Sequence, residues 1–220
     1  MQGWFPHTLR IVMTVAMPFV LVLSNVRLVL MPWFPTFEYN RPRFPADAYG
    51  FSTDVRKSHA RRAVEYLLDA ASIDYIAEER FEDGAPLYNE RELRHMQDVK
   101  VVTGRVLWVW RGALLFALAA GVALARQPAT RLLLRAGLMA GAAIVVVAVV
   151  VLLAYVLLNF NSFFTNFHRV FFESGSWMFS YSDTLIRLFP LRFWSDVALL
   201  IGGASLLEGV LLWWAAARFL

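Results

Sequence analysis

An unbroken apolar stretch over 142–158 closes a longer run that begins near residue 132. Three more runs of the same character lie at 11–31, 101–125 and 197–219. Each approaches or exceeds the ~20 residues that a helix needs to cross a hydrocarbon core. No soluble fold buries four such segments in a chain of 220 residues, of which 59% are hydrophobic. The sequence therefore predicts an all-α membrane protein, a single integral membrane domain over 1–220 with four transmembrane helices. The two intervening loops, 33–100 and 160–195, are expected to carry short amphipathic or interfacial helices. The first run has no small-residue cleavage signal at its end and reads as a retained span. Pro18 is the expected kink in it.

Charge gives the direction. Arg10 precedes the first run, Arg126, Arg131 and Arg135 cluster around the short turn between the second and third, and Arg218 follows the fourth. Basic short loops stay inside, so both termini are expected in the cytoplasm and both long loops outside. The net charge of +4 comes from arginines flanking apolar runs. That is a membrane pattern, and it argues against a nucleic-acid partner. With no cysteine there is no disulfide, thiolate nucleophile or cysteine metal site.

In the first loop, residues 33–51 are rich in proline and aromatics and are expected to be irregular. Ser52, Thr53 and Asp54 offer caps for a helix near 54–71, with Val64, Leu67, Leu68 and Ala71 on one face. His59 reads as a solvated residue on that helix. Asn89 with Glu92 forms a capping-box pattern for a helix running into the second span. On that helix Glu92, His95 and Asp98 share a side, so either carboxylate is placed to orient the imidazole. An ordinary surface histidine with a helix ion pair fits the same spacing.

The second loop is dominated by phenylalanine and tryptophan, which places it at the headgroup level or folded back on the protein. His168 and Arg169 are isolated in that apolar setting and need partners. Asp183 is expected to cap a helix over 184–189, stopped by Pro190. Arg187 and Arg192 suit phosphate or carboxylate recognition, or simple anchoring at the interface. Asn25 is placed to bond across helices. Glu208, mid-span, reads as a protonated or hydrogen-bonded structural carboxyl. The predicted topology puts His95 and His168 at the same lipid–water boundary, where imidazole is well suited to moving protons.

Several motifs follow in order. They are Ser24-Asn25, Asn89-Glu-x-Glu-Leu-x-His95-Met-x-Asp98-Val-Lys100, Phe167-His168-x-x-Phe171-Phe172, Trp177, and Asp183-Thr-Leu-Ile-x-Leu-Phe-Pro190-x-x-Phe-Trp194. Together they resemble the bacterial lipoprotein intramolecular transacylase family of integral membrane proteins. The resemblance implies a membrane acyltransferase. It would move the sn-2 acyl chain of an S-diacylglyceryl-cysteine lipoprotein to that cysteine's own amine, leaving a lyso-form lipoprotein. Diacylated lipoproteins and membrane lipid would be the partners, with no cofactor and no metal. His95 would be the general base, oriented by Glu92 or Asp98, and His168 would polarise the carbonyl or return the proton; the two roles are interchangeable at this level. Arg169, Arg187, Arg192, Asn25 and Trp177 would bind substrate. The competing readings are a phospholipid acyltransferase or hydrolase, and a non-enzymatic scaffold or transporter subunit.

Overall fold

Apolar run length decides the main elements. The computed structural model describes residues 3–173 and 175–220, and four of its helices are long and apolar enough to cross a membrane. These are α1 (Trp4–Val29), α5 (Glu90–Ala125), α6 (Arg131–Leu158) and α9 (Leu191–Phe219). A single 3-10 turn, Pro128–Thr130, joins α5 to α6. Thr130 Oγ1 donates there to the Leu124 carbonyl, closing the end of α5. Shorter helices fill the two connecting segments: α2 (Trp33–Tyr39), α3 (Thr53–Leu68), α4 (Asp74–Ala77), α7 (Phe160–Phe171) and α8 (Thr184–Leu188).

Four expected boundaries change. α1 begins seven residues before the apolar run, with Pro6 in its first turn, where a missing N–H costs nothing; it then continues through Pro18. α9 likewise begins immediately after Pro190, not at 197. The proline-rich stretch after α1 is not wholly irregular. It starts with α2, whose Pro35 stands near the helix start and whose Phe34 packs edge-on against Phe193. α3 stops at Leu68, so Ala71 lies outside it; Val64 is buried as expected and Leu67 packs against the core, but Ala60, Ala63 and Tyr66 are its other buried apolar residues.

The chain groups into two compact units. The first holds the described residues to Arg27, 106–158 and 198–220. Its core joins Met13, Ala16 and Met17 of α1, Ala117, Ala120 and Leu124 of α5, and Leu134 of α6. Lipid-exposed helices associate through close packing and polar contacts, and both are present. A Cβ on Gly141 would stand 2.6 Å from Met17 Cβ and 3.0 Å from the Thr14 carbonyl oxygen. Asn25 Nδ2 donates to Glu208 Oε2 at 2.9 Å and to Ser205 Oγ at 3.2 Å, and Trp110 Nε1 donates to Ser24 Oγ at 3.0 Å. Glu208 is thus hydrogen-bonded inside this unit, as its mid-span position requires.

The second unit, 28–105 with the described residues of 159–197, has its own core. Ala63 and Tyr66 of α3, Ile76, Leu87, Tyr88 and Met96, and Leu185 and Leu188 of α8 meet there. Two buried arginines brace it. Arg56 donates to the Arg187 carbonyl from Nε (3.0 Å) and Nη2 (2.7 Å). Arg187, only 8% exposed, pairs with Asp47 at 2.9 Å and lies 3.6 Å over the Phe51 ring. Burial works against ionisation of Asp47, but hydrogen bonds from Arg187 and the Phe51 N–H outweigh it and hold the carboxyl below its ordinary range. Glu38 on α2 behaves oppositely. Burial and a hydrogen bond shared with Asp196 push it up to about 7 against the pull of Arg41.

Two tests follow from this packing. Gly141→Ala forces α1 and α6 apart and should cost about 1–3 kcal/mol, read as a lowered melting temperature in detergent. Gly112→Ala, with open space around the new Cβ, should not lower it. The folded protein holds the Glu38 proton more tightly than the unfolded chain. Its stabilising contribution is therefore full below the unfolded value of 4.5 and is lost as pH rises through about 7. The decline in melting temperature across that window should be shallower in Glu38→Gln than in the wild type.

Candidate active site

The site begins with a helix cap. Asn89 Oδ1 accepts the N–H groups of Arg91 and Glu92 at 3.0 Å, and Glu92 Oε2 accepts the Asn89 N–H at 2.9 Å. This is the reciprocal capping box that the sequence predicts. The other Glu92 oxygen accepts the Leu185 N–H at 2.7 Å. Thr184 Oγ1 donates to the Leu87 carbonyl. Through these bonds α8 is fastened to the start of α5, and the turn of α5 that follows carries His95.

α7 supplies the second imidazole. Asn159 caps it by accepting the Ser162 N–H at 3.0 Å. Its phenylalanines at 160, 163, 164, 167 and 171 lie at helical spacing, with His168 on the same side as Phe164. The two imidazoles come together: their ring centroids are 6.3 Å apart with 25° between planes. Aromatic rings surround both. His95 meets Phe172 at 4.9 Å and Phe179 at 5.3 Å. His168 meets Phe164 at 4.0 Å, Trp177 at 4.9 Å, and Phe167 and Phe172 at 5.7 Å.

The hydrogen bonds distinguish the rings. His168 Nδ1 lies 2.7 Å from the Phe164 carbonyl oxygen. A carbonyl only accepts, so in the neutral ring Nδ1 carries the hydrogen and Nε2 the lone pair. Burial lowers the His168 pKa below its ordinary 6.5, partly offset by the bond to Phe164. His95 is 8% exposed, and its Nδ1 is buried without a hydrogen-bond partner. The Trp177 indole Nε1 is also buried and unpartnered.

The other residues singled out in the sequence are placed as follows. Glu92 is 1% exposed and gives both oxygens to backbone N–H groups, so it positions helices and does not bond His95. Asp98 is exposed and makes no hydrogen bond or ion pair among the described residues. Glu92 and His95 share the buried side of α5 and Asp98 lies on the exposed side, and the capping box draws the Glu92 carboxylate back toward Asn89, away from the next turn. Arg187 is buried and directs its Nε and Nη2 donors to Asp47 and the Tyr49 carbonyl. Arg192 is paired with Asp196 one turn on. Asn25 spends its donors on Leu21, Ser205 and Glu208 within the first unit. Arg169 lies on the polar side of α7 with Asn161, Ser162, Thr165 and Asn166, lining a shallow groove. His59 is not solvated: its Nδ1 pairs with the buried Glu79. Phe167, Phe172 and Trp177, named in the sequence motifs, do line His168, whereas Phe164 and Phe179 were not singled out, although Phe164 stands four residues before His168. Among the described residues, no three His, Cys, Asp or Glu side chains are grouped to hold a metal ion.

Known proteins share this architecture. The in meso structure of the membrane-integral lipoprotein intramolecular transacylase Lit from Bacillus cereus matches with a TM-score of 0.70 at 20% identity. The match covers 99% of this chain and 96% of that one. A histidine-to-alanine variant of the same Bacillus cereus protein matches with a TM-score of 0.62 at 16% identity, over 98% and 94% of the two chains. An uncharacterized protein of Aquifex aeolicus (strain VF5) is 26% identical over 212 residues, spanning 92% of this chain and 90% of that one. The family model for the lipoprotein intramolecular transacylase Lit matches residues 11–194. This four-span membrane protein belongs to the lipoprotein intramolecular transacylase family of enzymes.

Proposed function

We propose that the His95–His168 pair catalyses transfer of the sn-2 acyl chain of an S-diacylglyceryl-cysteine to that residue's own α-amine. The observation that carries this reading is two imidazoles 6.3 Å apart in an aromatic enclosure, each with a ring nitrogen that forms no protein hydrogen bond. The substrate brings its own nucleophile, so the enzyme needs no serine or cysteine. It has to accept a proton, stabilise an oxyanion and give a proton back.

His168 fits the general base. With Nδ1–H bonded to Phe164, its Nε2 lone pair is free to take the proton as the neutral amine attacks the ester carbonyl. The tetrahedral intermediate then collapses, the bond from the acyl carbon to the glycerol oxygen breaks, and that oxygen receives the proton. His95, across the gap, is placed to polarise the carbonyl or to assist this last transfer. The structure thus favours the exchange of the two roles first expected. Glu92 acts as a positioning residue through its bond to Leu185, and Asp98 has no part in the step. Of Arg169, Arg187 and Arg192, Arg169 is the one without a carboxylate partner among the described residues, and its polar groove suits a lipid headgroup or the substrate's peptide.

The basic turn around Arg126, Arg131 and Arg135 supports cytoplasmic termini and a site at the extracytoplasmic leaflet. The absence of native cysteine makes this directly testable. In intact cells an impermeant maleimide should label Glu82→Cys and leave Gln127→Cys unlabelled until the membrane is opened.

Mass spectrometry of lipoprotein N-termini tests the reaction. Cells expressing the wild type should accumulate N-acylated lyso-form termini, and His95→Ala and His168→Ala should each reduce them by about 10²-fold or more. Unchanged diacylglyceryl termini with the wild type would refute the reading. The pH profile has a defined sign. Protonated amine and protonated His168 are both inactive, so the rate rises with pH. The amine, with an ordinary pKa of about 7.7–8.0, governs the slope near neutrality. The second proton should steepen it only below 6.5, because burial lowers His168.

A further inference from the structure

In the transacylase reading the oxyanion gains from more than the single N–H that a neutral His95 can offer, and the neutral tautomer of His168 has none to spare. Its one N–H is committed to Phe164. The remaining side chains in ring contact with the two imidazoles are Phe164, Phe167, Phe172, Phe179 and Trp177. Among these five, Trp177 alone carries a polar hydrogen. Its indole lies 4.9 Å from the His168 ring at 37°, and its Nε1 is buried with no acceptor.

The chain is shaped to bring it there. α7 ends at Phe171, and a tight turn follows in which the Ser176 N–H and Oγ both donate to the Glu173 carbonyl, at 3.2 and 2.9 Å. Gly175 sits at φ +88°, a conformation that residues with a Cβ rarely adopt. The turn folds Trp177 back across His168 and the Phe164 ring, 6.5 Å away. A buried N–H without an acceptor is rare and costs roughly 1–3 kcal/mol. Such a cost is relieved where a water, an ion or a ligand supplies the missing partner, and at Trp177 the neighbouring imidazole makes a ligand the relevant one.

We propose that the Trp177 indole N–H donates to the carbonyl oxygen of the migrating ester and holds it as it becomes the oxyanion. The inference rests on the transacylase reading and gives Trp177 a catalytic role within it. As the amine nitrogen bonds to the acyl carbon and His168 Nε2 takes the amine proton, negative charge collects on this oxygen. It returns to a carbonyl when the glycerol oxygen leaves with the proton. A preorganised donor in a water-poor enclosure stabilises that charge more than it stabilises the ground-state ester.

The test replaces the N–H and keeps the ring. 3-Benzothienylalanine introduced at position 177 of the full-length protein has sulfur in place of N–H in a bicycle of nearly the same shape. Trp177→Phe is the second variant and covers poor incorporation of the first. Both should lose kcat by about 10²-fold, with KM changed less than about threefold and the pH profile unmoved. A phosphonate mimic of the tetrahedral intermediate should bind the benzothienyl protein about 10²-fold more weakly, with substrate affinity nearly intact. Two results would overturn the assignment: kcat within about threefold of wild type, or a loss appearing in KM or melting temperature instead of kcat. A wild-type protein that makes no N-acylated product would overturn the underlying reading and this assignment with it. Active wild type with an equally active benzothienyl variant overturns the Trp177 assignment alone.

Discussion

The Glu92 carboxylate is the point on which the second unit depends. It is almost wholly buried and has no cation bonded to it; both of its oxygens are held by backbone N–H groups, those of Asn89 and Leu185. A carboxylate removed from water is tolerable only when its lone pairs are met by charge-assisted hydrogen bonds. One of those bonds, to Leu185, reaches across 93 residues of sequence. It converts a helix cap into a clamp between α5 and α8, around which Leu87, Tyr88, Met96, Leu185 and Leu188 close. A 36-residue α5, about 54 Å long, exceeds the ~30 Å hydrocarbon core. Its first turns must therefore be packed by something other than lipid, and the clamp supplies that packing. His95, three residues past Glu92, inherits the rigidity.

Run length made the four spans legible because hydropathy over twenty residues needs no periodicity. Helix ends were less legible. Trp4, Phe5 and the 191–194 stretch look like interfacial flanks, yet Pro6 and Pro190 are helix-start residues and extend α1 and α9 into them. α2 was hidden by the same chemistry: prolines that break a helix interior are tolerated in its first turn. α7 carried readable signals, namely Asn159 as a cap and phenylalanines at helical spacing, but a dense aromatic segment at the interface resembles an irregular one when composition alone is weighed.

The site divides along similar lines. Two histidines flanking successive apolar runs were visible at once, and a continuous topology suffices to bring them together. Their supporting residues were not, because each polar side chain answers to a partner that sequence distance conceals. Arg187 finds Asp47 across 140 residues, and Asn25 finds Glu208 across 183. Arg192 and Asp196 were an ordinary i, i+4 pair and could have been read as one. The proposed assignment of His168 as base could not be read from sequence, since it turns on one backbone carbonyl, that of Phe164, deciding which nitrogen of His168 holds the hydrogen.

An aromatic enclosure suits the proposed chemistry for a reason apart from binding lipid. Water competes with the amine for the same ester, and hydrolysis would waste the acyl chain. Phe164, Phe167, Phe172 and Phe179 give water few partners near the imidazoles. An amine and an ester on one cysteine need no second encounter, and well-oriented intramolecular pairs reach effective molarities of roughly 10⁵–10⁸ M. Excluding water also strengthens each remaining polar interaction, so one lone pair on His168 and one N–H on Trp177 can do work that would take several groups in an open cleft. Burial lowers the proton affinity of His168, which keeps its lone pair unprotonated at neutral pH and makes the later return of the proton to the glycerol oxygen easier. A weaker base held in place thus serves both halves of the transfer.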